Sequence, residues 1–386
     1  MTPESDLLES VRQRYAEGAQ RQVPELCCPV DYDASLLEAL PSEVIDRDYG
    51  CGDPSKFVQP GDTVLDLGSG SGKICYMASQ LVGSEGRVIG VDTTDDMLEL
   101  SRRYRKEVGD RIGWHNVEFR RGLIQDLELD HEELGKWLAA NPVTGLAGRE
   151  ALAEEERRLR REAPLIADNS IDLVLSNCVL NLVGNDEKRT LFAEIHRVLK
   201  RGGRCAISDI VSDEDVPLEM QADPELWSGC ISGAMREDRF LEAFAEAGLY
   251  GVEVAAYQTE PWAVVQGIEF RSMTVMAWKG KEGECMDHGQ AVIYKGPWSS
   301  VADDDGHVLE RGERTAVCKK TFDIYSGPAY QDQFIPVPPL RELSADEVVP
   351  FDCREGSLRT PDETKRGVQR DIPAGEASCD PAEGCC

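Results

Sequence analysis

The stretch TVLDLGSGSG, residues 63–72, constrains the fold of this chain more than any other. Its apolar residues around Asp66 are typical of a short strand buried inside a parallel sheet. The turn after this strand carries three glycines, Gly68, Gly70 and Gly72, which place no side chain in the way of a ligand. Apolar residues then recur near helical spacing, which predicts a helix that starts at about Ser71. A strand, a glycine turn and a helix in this order indicate a nucleotide-binding unit with its ligand at the carboxyl end of the strand.

The spacing of these glycines distinguishes between two kinds of ligand. A dinucleotide fingerprint reads G-x-G-x-x-G, whereas here Lys73 takes the place of the third glycine and the pattern is G-x-G-x-G. With an acidic residue just before it, this pattern resembles motif I of S-adenosylmethionine-dependent methyltransferases. Asp92 ends the next predicted strand, where a carboxylate can accept hydrogen bonds from both ribose hydroxyls. S-adenosyl-L-methionine is therefore the predicted cofactor, and the alternative is a glycine-rich turn in another doubly wound protein.

The composition excludes several classes of partner. The formal net charge is -30, with 72 acidic against 42 basic residues, so the chain repels phosphate backbones and no nucleic-acid partner is expected. The N-terminal segment is acidic and amphipathic, and no stretch reaches the roughly 18 apolar residues that span a bilayer. We therefore expect no membrane partner and a cytoplasmic location. The 13 cysteines are expected to be metal-binding, catalytic or buried thiols there, because disulfides are rare in a reducing compartment.

The order of strands and helices predicts an α/β protein. The expected fold is a Rossmann-like class I S-adenosylmethionine methyltransferase sheet with a small α+β C-terminal domain. Apolar runs predict seven strands, near residues 63–67, 87–92, 117–121, 170–177, 203–211, 251–257 and 268–278. The charged residues 131–161 indicate a helical insertion at the surface. The predicted regions are 1–60, an N-terminal cysteine-bearing helical segment; 61–280, the methyltransferase domain; 281–340, a small β-rich domain; and 341–386, an acidic, disordered tail that contains cysteines.

Four cysteine positions are predicted to border the crevice towards which the cofactor's methyl group points. Cys27/Cys28 and Cys51 lie on loops before the first strand. Cys178 directly follows the fourth strand, and Cys230 lies in the loop after the fifth. Thiolates are soft donors, and a structural zinc site is a poor fit because the chain has no CxxC pair and no histidine at zinc-ligand spacing. Any one of these cysteines alone could be a small buried apolar residue, but four at one rim favour a thiophilic centre.

Four short motifs carry a resemblance to a known family. YGCG (Tyr49–Gly52), DLGSGSG (Asp66–Gly72), SNCVLNL (Ser176–Leu182) and SGCISGA (Ser228–Ala234) resemble those of arsenite S-adenosylmethionine methyltransferases. The likeness extends over roughly residues 20–335. It implies that the chain transfers methyl groups from S-adenosylmethionine to trivalent arsenic, in arsenic methylation and detoxification. It also implies that arsenic is held by the thiolates of the catalytic residues Cys51, Cys178 and Cys230, joined by Cys28 or its neighbour Cys27.

The predicted cofactor contacts lie at the carboxyl ends of the first four strands. Ile124 is expected to pack on the adenine ring, and an acid at position 92 to bind the ribose. The full predicted set is Asp66, Gly68, Gly70, Gly72, Asp92, Thr93, Ile124, Gln125 and Asn177.

Arsenic on three thiolates keeps a lone pair, so methyl transfer needs no general base and depends mainly on positioning. The substrate would be arsenite or one of its thiol conjugates. Methylation formally raises arsenic to the pentavalent state. A thiol pair, for which we predict Cys28 and Cys51, would return it to the trivalent state by forming a disulfide that thioredoxin or glutathione then reduces.

Two other functions are also compatible with the sequence. One is a methyltransferase of another small molecule, which would need a general base such as Asp209 or His196. The other is a non-catalytic metalloid-binding protein. Among the remaining cysteines, Cys205 is expected in the core, and Cys75 in the core or in a redox role. The tail cysteines either capture arsenite or are inert, and three others have no predicted role: Cys285, Cys318 and Cys353.

Overall fold

The computed structural model describes residues 3–23, 30–330, 332–354 and 356–367, without the side chains of residues 3–6 and 8. The chain divides into two compact units, Met1–Glu282 and Gly283–Cys386. The division falls close to the boundary after residue 280 that the sequence predicts. Cys27, Cys28 and the three tail cysteines lie outside the described residues.

The first unit is built on one large, mostly parallel sheet. Its strands are β1 (Thr63–Leu67), β2 (Arg87–Asp92), β3 (Val117–Arg121), β4 (Ile171–Asn177), β5 (Leu199–Ser212), β6 (Met235–Arg236), β7 (Tyr250–Tyr257), β8 (Ala263–Val265) and β9 (Ile268–Trp278). The order is β3-β2-β1-β4-β5-β9-β7; β6 pairs with β5 and β8 with β9. The strands β1 to β5 run parallel, and β9 runs antiparallel to both its neighbours. The predicted Rossmann-like class I fold and its seven strands are confirmed.

The direction in which the sheet is built reverses at β1. Successive strands β2 and β3 add on one side of β1, whereas β4 and β5 add on the other. The two connections that leave this point diverge, and they open a crevice beyond the carboxyl ends of β1 and β4. The fold therefore places a ligand crevice directly after the glycine turn.

The helices of the first unit precede β1 or lie in the connections between the strands. They are α1 (Pro3–Gln20), α2 (Ala34–Leu37), α3 (Ser42–Asp46), α4 (Lys73–Val82), α5 (Asp95–Ile112), α6 (His131–Ala140), α7 (Gly145–Glu162), α8 (Lys188–Val198), α9 (Leu218–Gln221), α10 (Pro224–Ser228) and α11 (Glu237–Glu246), with 3₁₀ turns at Pro54–Phe57 and Leu180–Leu182. The strand residues Leu65 and Val174 are fully buried. They share one apolar core with an edge-to-face cluster of three rings from α8 and α11: Phe192, Phe240 and Phe244. The predicted surface insertion forms the mostly exposed helices α6 and α7.

The second unit is a small α+β structure. Its elements are β10 (Met286–Asp287), β11 (Ala291–Tyr294), β12 (Ser300–Ala302), β13 (Val308–Glu310), β14 (Arg314–Ala316), α12 (Lys319–Tyr325), β15 (Phe334–Val337), β16 (Val349–Pro350) and α13 (Pro361–Thr364). The strands form three small sheets, β14-β11-β15, β10-β16 and β12-β13. The rings of Tyr294, Tyr325 and Phe334 pack together in its core.

For residues 341–354 and 356–367 the structure differs from the prediction of a disordered tail; the rest of the predicted tail, to residue 386, lies outside the described residues. Strand β16 pairs with β10, and Leu358 bridges to Thr315. Helix α13 begins with a capping box between Thr360 and Glu363. The sequence after residue 341 has few apolar residues, so its composition alone resembles a disordered segment. Its order comes from backbone pairing with strands some forty to sixty residues earlier, which composition does not reveal.

Candidate active site

A cavity lies at the carboxyl ends of β1, β2 and β4, where the crevice was expected. It contains about 1130 Å³ of space that no atom fills, counting its open mouth. Its lining includes most of the predicted site residues of this region: Gly68, Gly70, Asp92, Thr93, Ile124, Gln125, Asn177 and Cys178. Apolar side chains such as Met97 and Val183 complete the wall.

The glycine turn and the end of β2 provide the polar features of this cavity. The φ angle of Gly70 is +50°, and a Cβ there would meet nothing within 4 Å, so the turn leaves open space at this point. The backbone N–H groups of Gly70 and Thr94 donate hydrogen bonds of 2.9 and 2.8 Å to the two carboxylate oxygens of Asp92. Burial raises the pKa of Asp92, which these hydrogen bonds oppose. A buried carboxylate beside an open glycine turn and an apolar wall fits the ribose and adenine of S-adenosylmethionine.

Two predicted cofactor contacts do not line the cavity. Asp66 is 2% exposed and accepts a hydrogen bond of 3.2 Å from the Cys75 thiol, and burial raises the pKa of Asp66 to about 7. Gly72 has a φ angle of +86°, and a Cβ there would lie 2.7 Å from the Phe119 ring. Both residues therefore support the conformation of the glycine turn from positions outside the cavity. Helix α4 begins only at Lys73, because the left-handed Gly72 is its N-cap.

The Asn177 side chain joins the end of β4 to the loop YGCG, residues 49–52. Its Oδ1 accepts hydrogen bonds from the N–H groups of Cys51 at 2.9 Å and Gly52 at 3.0 Å, and its Nδ2 donates to the Gly52 carbonyl at 2.8 Å. A Cβ on Gly50 would lie 2.0 Å from Nδ2, so this close approach requires glycine. Asn177 lines the cavity as predicted, but its amide atoms are engaged in holding the loop that carries Cys51.

This arrangement brings the three predicted arsenic ligands together. Cys51 and Cys178 place their sulfurs, with a carboxylate oxygen of Asp209, within 4.8 Å of one another. Cys230 belongs to the same buried cluster. The Cys230 thiol also donates to the Cys178 carbonyl at 3.3 Å, and its sulfur lies 3.7 Å from the hydroxyl of Tyr15.

The three thiols are buried and are held in an apolar surrounding. Cys51, Cys178 and Cys230 are only 4–5% exposed and pack in one cluster with Ile210 and Phe270. Hydrogen bonding to the Cys230 and Cys51 thiols, together with burial, raises the pKa of Cys178 well above its usual value. Burial raises the pKa of Cys51 as well. These two thiols are therefore protonated at neutral pH before a ligand arrives.

The backbone at two of these cysteines is unusual. Cys178 and Cys230 have φ angles of +65° and +61°, in the left-handed region that residues other than glycine rarely adopt. Such a conformation costs on the order of 1–2 kcal/mol per residue and is found where the surrounding structure fixes it, often at functional sites. Nothing in the sequence motifs indicates this strain.

The two candidate general bases have different surroundings. His196 lies on α8, where its Nε2 is 3.1 Å from Glu282, and it does not line the cavity. Asp209 is close to the thiols, and burial raises its pKa to about 6. Its carboxylate accepts hydrogen bonds of 2.8 Å from the N–H groups of Leu180 and Ile210, so it fixes the segment after Cys178.

The sequence interpretation did not anticipate the part played by α1. Arg12 and Tyr15 of this helix line the cavity, and the Tyr15 hydroxyl is beside the Cys230 sulfur. The sequence shows only that α1 has an apolar face that includes Tyr15. Such a face indicates that the helix packs against the protein but not where. As predicted, Cys205 is a core residue, with its thiol 3.7 Å from the Ala277 carbonyl.

The reversed strand order, the open glycine turn and the buried acid that ends β2 define a class I S-adenosylmethionine-dependent methyltransferase. A family model described as a methyltransferase domain matches residues 59–143 and 157–248, and the gap covers Thr144 and the first part of α7. A domain of unknown function matches residues 281–369. The chain is 30% identical over 347 residues to an arsenite methyltransferase of Aquipseudomonas alcaligenes, which covers 84% of this chain and 89% of that protein. The chain belongs to the arsenite methyltransferase family.

Two further comparisons agree with this assignment. An arsenite methyltransferase of Mus musculus is 28% identical over 82% of this chain and 77% of its own length. The crystal structure of CrArsM, an arsenic(III) S-adenosylmethionine methyltransferase from Chlamydomonas reinhardtii, superposes with a TM-score of 0.53 at 26% identity, covering 84% of this chain and 100% of that one. The predictions of the family, of a methyltransferase and of S-adenosylmethionine as cofactor are thereby confirmed. In the part of the chain that the structure describes, no helix has the length and apolar character to cross a membrane.

Proposed function

We propose that this chain transfers a methyl group from S-adenosylmethionine to trivalent arsenic bound by Cys51, Cys178 and Cys230. The observation that supports this most directly is the packing of three buried thiols in one cluster, of which Cys178 lines the cofactor cavity. They come from three distant parts of the chain. Soft thiols gathered in this way suit a thiophilic atom, whereas a methyltransferase that acts on carbon or oxygen would need a general base.

The protonated state of the thiols is compatible with the binding of arsenite. Arsenous acid, As(OH)₃, exchanges its three As–O bonds for three As–S bonds. The three thiol protons leave with the three hydroxyl groups as water, so the loading is balanced without a separate base. Asp209 stays bound to backbone N–H groups and acts by holding the Cys178 segment in place.

The methyl-transfer step then depends on positioning. When bound, S-adenosylmethionine would supply an electrophilic methyl group to which arsenic donates its lone pair, and would leave as S-adenosylhomocysteine. The three sulfurs fix the arsenic atom, and Asn177 fixes the loop that carries Cys51. Orientation of this kind can contribute roughly 7–11 kcal/mol to catalysis. The apolar wall excludes water from the region where charge changes during the transfer.

Methylation leaves arsenic formally pentavalent, and two electrons are needed to return it to the trivalent state. We propose that Cys28 and Cys51 supply them: the Cys28 thiol loses its one proton and bonds to the Cys51 sulfur, while the bond between Cys51 and arsenic breaks and leaves its electron pair on arsenic. Thioredoxin or glutathione would then reduce that disulfide. This cycle requires a compartment in which thiols are kept reduced, which supports a cytoplasmic location. Cys28 lies outside the described residues, and its part rests on the family resemblance alone.

Replacement of one arsenic ligand tests this function. In Cys178→Ser, we expect the rate of arsenite methylation to fall on the order of 100-fold or more, because arsenic loses one of three sulfurs and its position with it. Binding of S-adenosylmethionine, measured by calorimetry, should stay within about twofold. Products are measured as methylated arsenic and S-adenosylhomocysteine after incubation with arsenite, a thiol and S-adenosylmethionine.

Cys205→Ser is the matched control, since Cys205 is another buried thiol of the first unit but lies outside the cluster. Its methylation rate should stay near that of the unmodified chain. Undiminished arsenic methylation by Cys178→Ser would remove this residue from the mechanism.

A further inference from the structure

A second group of three cysteines is assembled within the second unit. The sulfurs of Cys285, Cys318 and Cys353 lie within 4.8 Å of one another. None of them belongs to a motif with a predicted role. All three fall within the matched domain of unknown function, residues 281–369.

Strand pairing holds two of these cysteines together. Cys285 directly precedes β10, and Cys353 lies three residues after the end of β16. The two strands pair antiparallel, with Met286 opposite Pro350. Beyond the last pair, the N–H of Phe351 donates a hydrogen bond of 2.8 Å to the Cys285 carbonyl. The backbone therefore fixes the two cysteines at the same end of one ladder.

The third cysteine is fixed from the other side of the cluster. Cys318 connects β14 to α12, and its sulfur accepts a hydrogen bond of 3.4 Å from the N–H of Thr321 and lies 3.2 Å from the Thr321 hydroxyl. The buried Gln290 side chain donates at 2.5 Å to the carbonyl of Val317. The N–H of Ala316 donates to the Ser357 carbonyl at 2.8 Å, which ties this segment to the chain just after Cys353. The thiols are thus held by three separate backbone segments.

The chemical state of the cluster suits ligand exchange. Burial alone would raise the pKa of the Cys318 thiol, but hydrogen bonds from Thr321 and from the two neighbouring thiols bring it below its ordinary value. Burial and the neighbouring thiols of Cys285 and Cys318 raise the pKa of Cys353 to about 12. Cys318 is buried, whereas Cys285 and Cys353 are half-buried. A ligand that arrives from solvent can therefore bind two accessible thiols first, and the buried third thiol then completes its coordination.

The number of donors distinguishes between soft ligands. Structural zinc takes four protein ligands. Within the described residues, no fourth cysteine, histidine or acidic side chain joins the three sulfurs at the same separation. Trivalent arsenic forms three bonds in a pyramid and keeps a lone pair in the fourth direction. A closed set of three thiols matches that requirement.

We propose that Cys285, Cys318 and Cys353 form a second binding site for trivalent arsenic, complete within the second unit. Binding replaces three As–O bonds of As(OH)₃ with three As–S bonds and releases three molecules of water, with no change of oxidation state. The proposal concerns binding, and it stands whether or not the thiols of the first unit methylate arsenic.

The stoichiometry of arsenic binding tests this proposal. The reduced, metal-free full chain is incubated with arsenite and desalted, and bound arsenic per chain is measured by elemental analysis. We expect Cys285→Ser, Cys318→Ser and Cys353→Ser each to lose one tightly bound arsenic per chain. The triple variant should lose the same single equivalent, because the three thiols share one atom. Cys205→Ser, the buried control, should lose none.

Folding and catalysis provide separate readings of the same variants. Circular dichroism checks that the half-buried variants, Cys285→Ser and Cys353→Ser, retain the fold even if the change at Cys318 does not. Their methylation rates at saturating arsenite should stay within about twofold of the unmodified chain. Unchanged stoichiometry or losses that add up in the triple variant would overturn the proposal. So would one zinc ion per purified chain that disappears in the triple variant, or a disulfide between two of these cysteines under reducing conditions.

Discussion

Cys178 and Cys230 combine two properties that rarely occur together, a buried thiol and a left-handed backbone. The thiol is needed to bind arsenic in the proposed mechanism, whereas the φ angles of +65° and +61° would be adopted more easily by glycine. The surrounding hydrogen bonds impose the conformation, among them the one that the Cys178 N–H donates to the Ser208 carbonyl at 2.8 Å. The strained backbone at these two residues therefore directs their sulfurs towards that of the third cysteine.

A comparison of two substitutions measures that strain. Because the left-handed conformation costs roughly 1–2 kcal/mol and glycine loses about 0.4–1 kcal/mol through its more flexible unfolded state, Cys178→Gly should be more stable than Cys178→Ala by about 1 kcal/mol. The free energy of unfolding is measured by denaturant titration. At Cys205, within β5, the order should reverse, with Cys205→Ala more stable than Cys205→Gly by roughly 0.5–1 kcal/mol. If the Ala variant were more stable than the Gly variant at both positions, Cys178 would not be strained.

Asp66 gives a prediction about pH. Its folded pKa of about 7 lies above the ordinary value of 3.8, so the folded state binds the proton more tightly than the unfolded state does. The stability that the protonated carboxyl contributes is complete below about pH 4 and is lost as the pH rises to about 7. Asp66→Asn removes this dependence. Its stability relative to the unmodified chain should therefore rise between pH 4 and 7, by on the order of 4 kcal/mol at most, and level off above pH 7.

The measurement is denaturant unfolding of Asp66→Asn at several pH values. Asp186→Asn, a change at an exposed residue, is the control and should show no such trend. A difference between Asp66→Asn and the unmodified chain that stays constant from pH 4 to 8 would mean that the carboxyl is already ionised in the folded state at pH 4.

At the scale of elements, the site depends on a junction between the end of β4 and the loop 49–52. The Asn177 side chain pairs with both polar backbone groups of Gly52 and with the N–H of Cys51. The loop is therefore anchored to the strand that Cys178 directly follows. This junction determines how far apart two of the three sulfurs lie.

A double-mutant cycle tests the junction. Asn177→Ala leaves buried N–H groups without their acceptor and should destabilise the chain by about 1–3 kcal/mol. Gly50→Ala should also destabilise it, because its new Cβ would lie 2.0 Å from Asn177 Nδ2. In the Asn177→Ala background the clash is absent, so Gly50→Ala should cost at least about 1 kcal/mol less there. If the changes in the free energy of unfolding caused by the two substitutions were strictly additive, the two residues would not be in contact.

At the scale of the whole molecule, the features that depend on local pattern could be predicted from the sequence. Apolar runs located the strands, and the rule that ligands bind at the carboxyl ends of parallel strands placed Asp92 and Cys178 at one cavity. The orientation of Asp66 could not be predicted, because it depends on Cys75 packing behind the turn. The pairing of β10 with β16 was also missed, since it joins segments more than sixty residues apart. The same pairing assembles the second thiol cluster, which no local motif indicates.

The positions of Cys51, Cys178 and Cys230 along the chain have a consequence for the substrate itself. An atom bonded to all three would close loops of more than 120 and about 50 residues, much as a disulfide does. Cross-links that close long loops restrict the unfolded chain and can contribute several kcal/mol to stability. Bound arsenite would then act as a temporary cross-link within its own enzyme. Release of the methylated product would require this cross-link to be broken, and the enzyme would be at its most rigid while arsenic is bound.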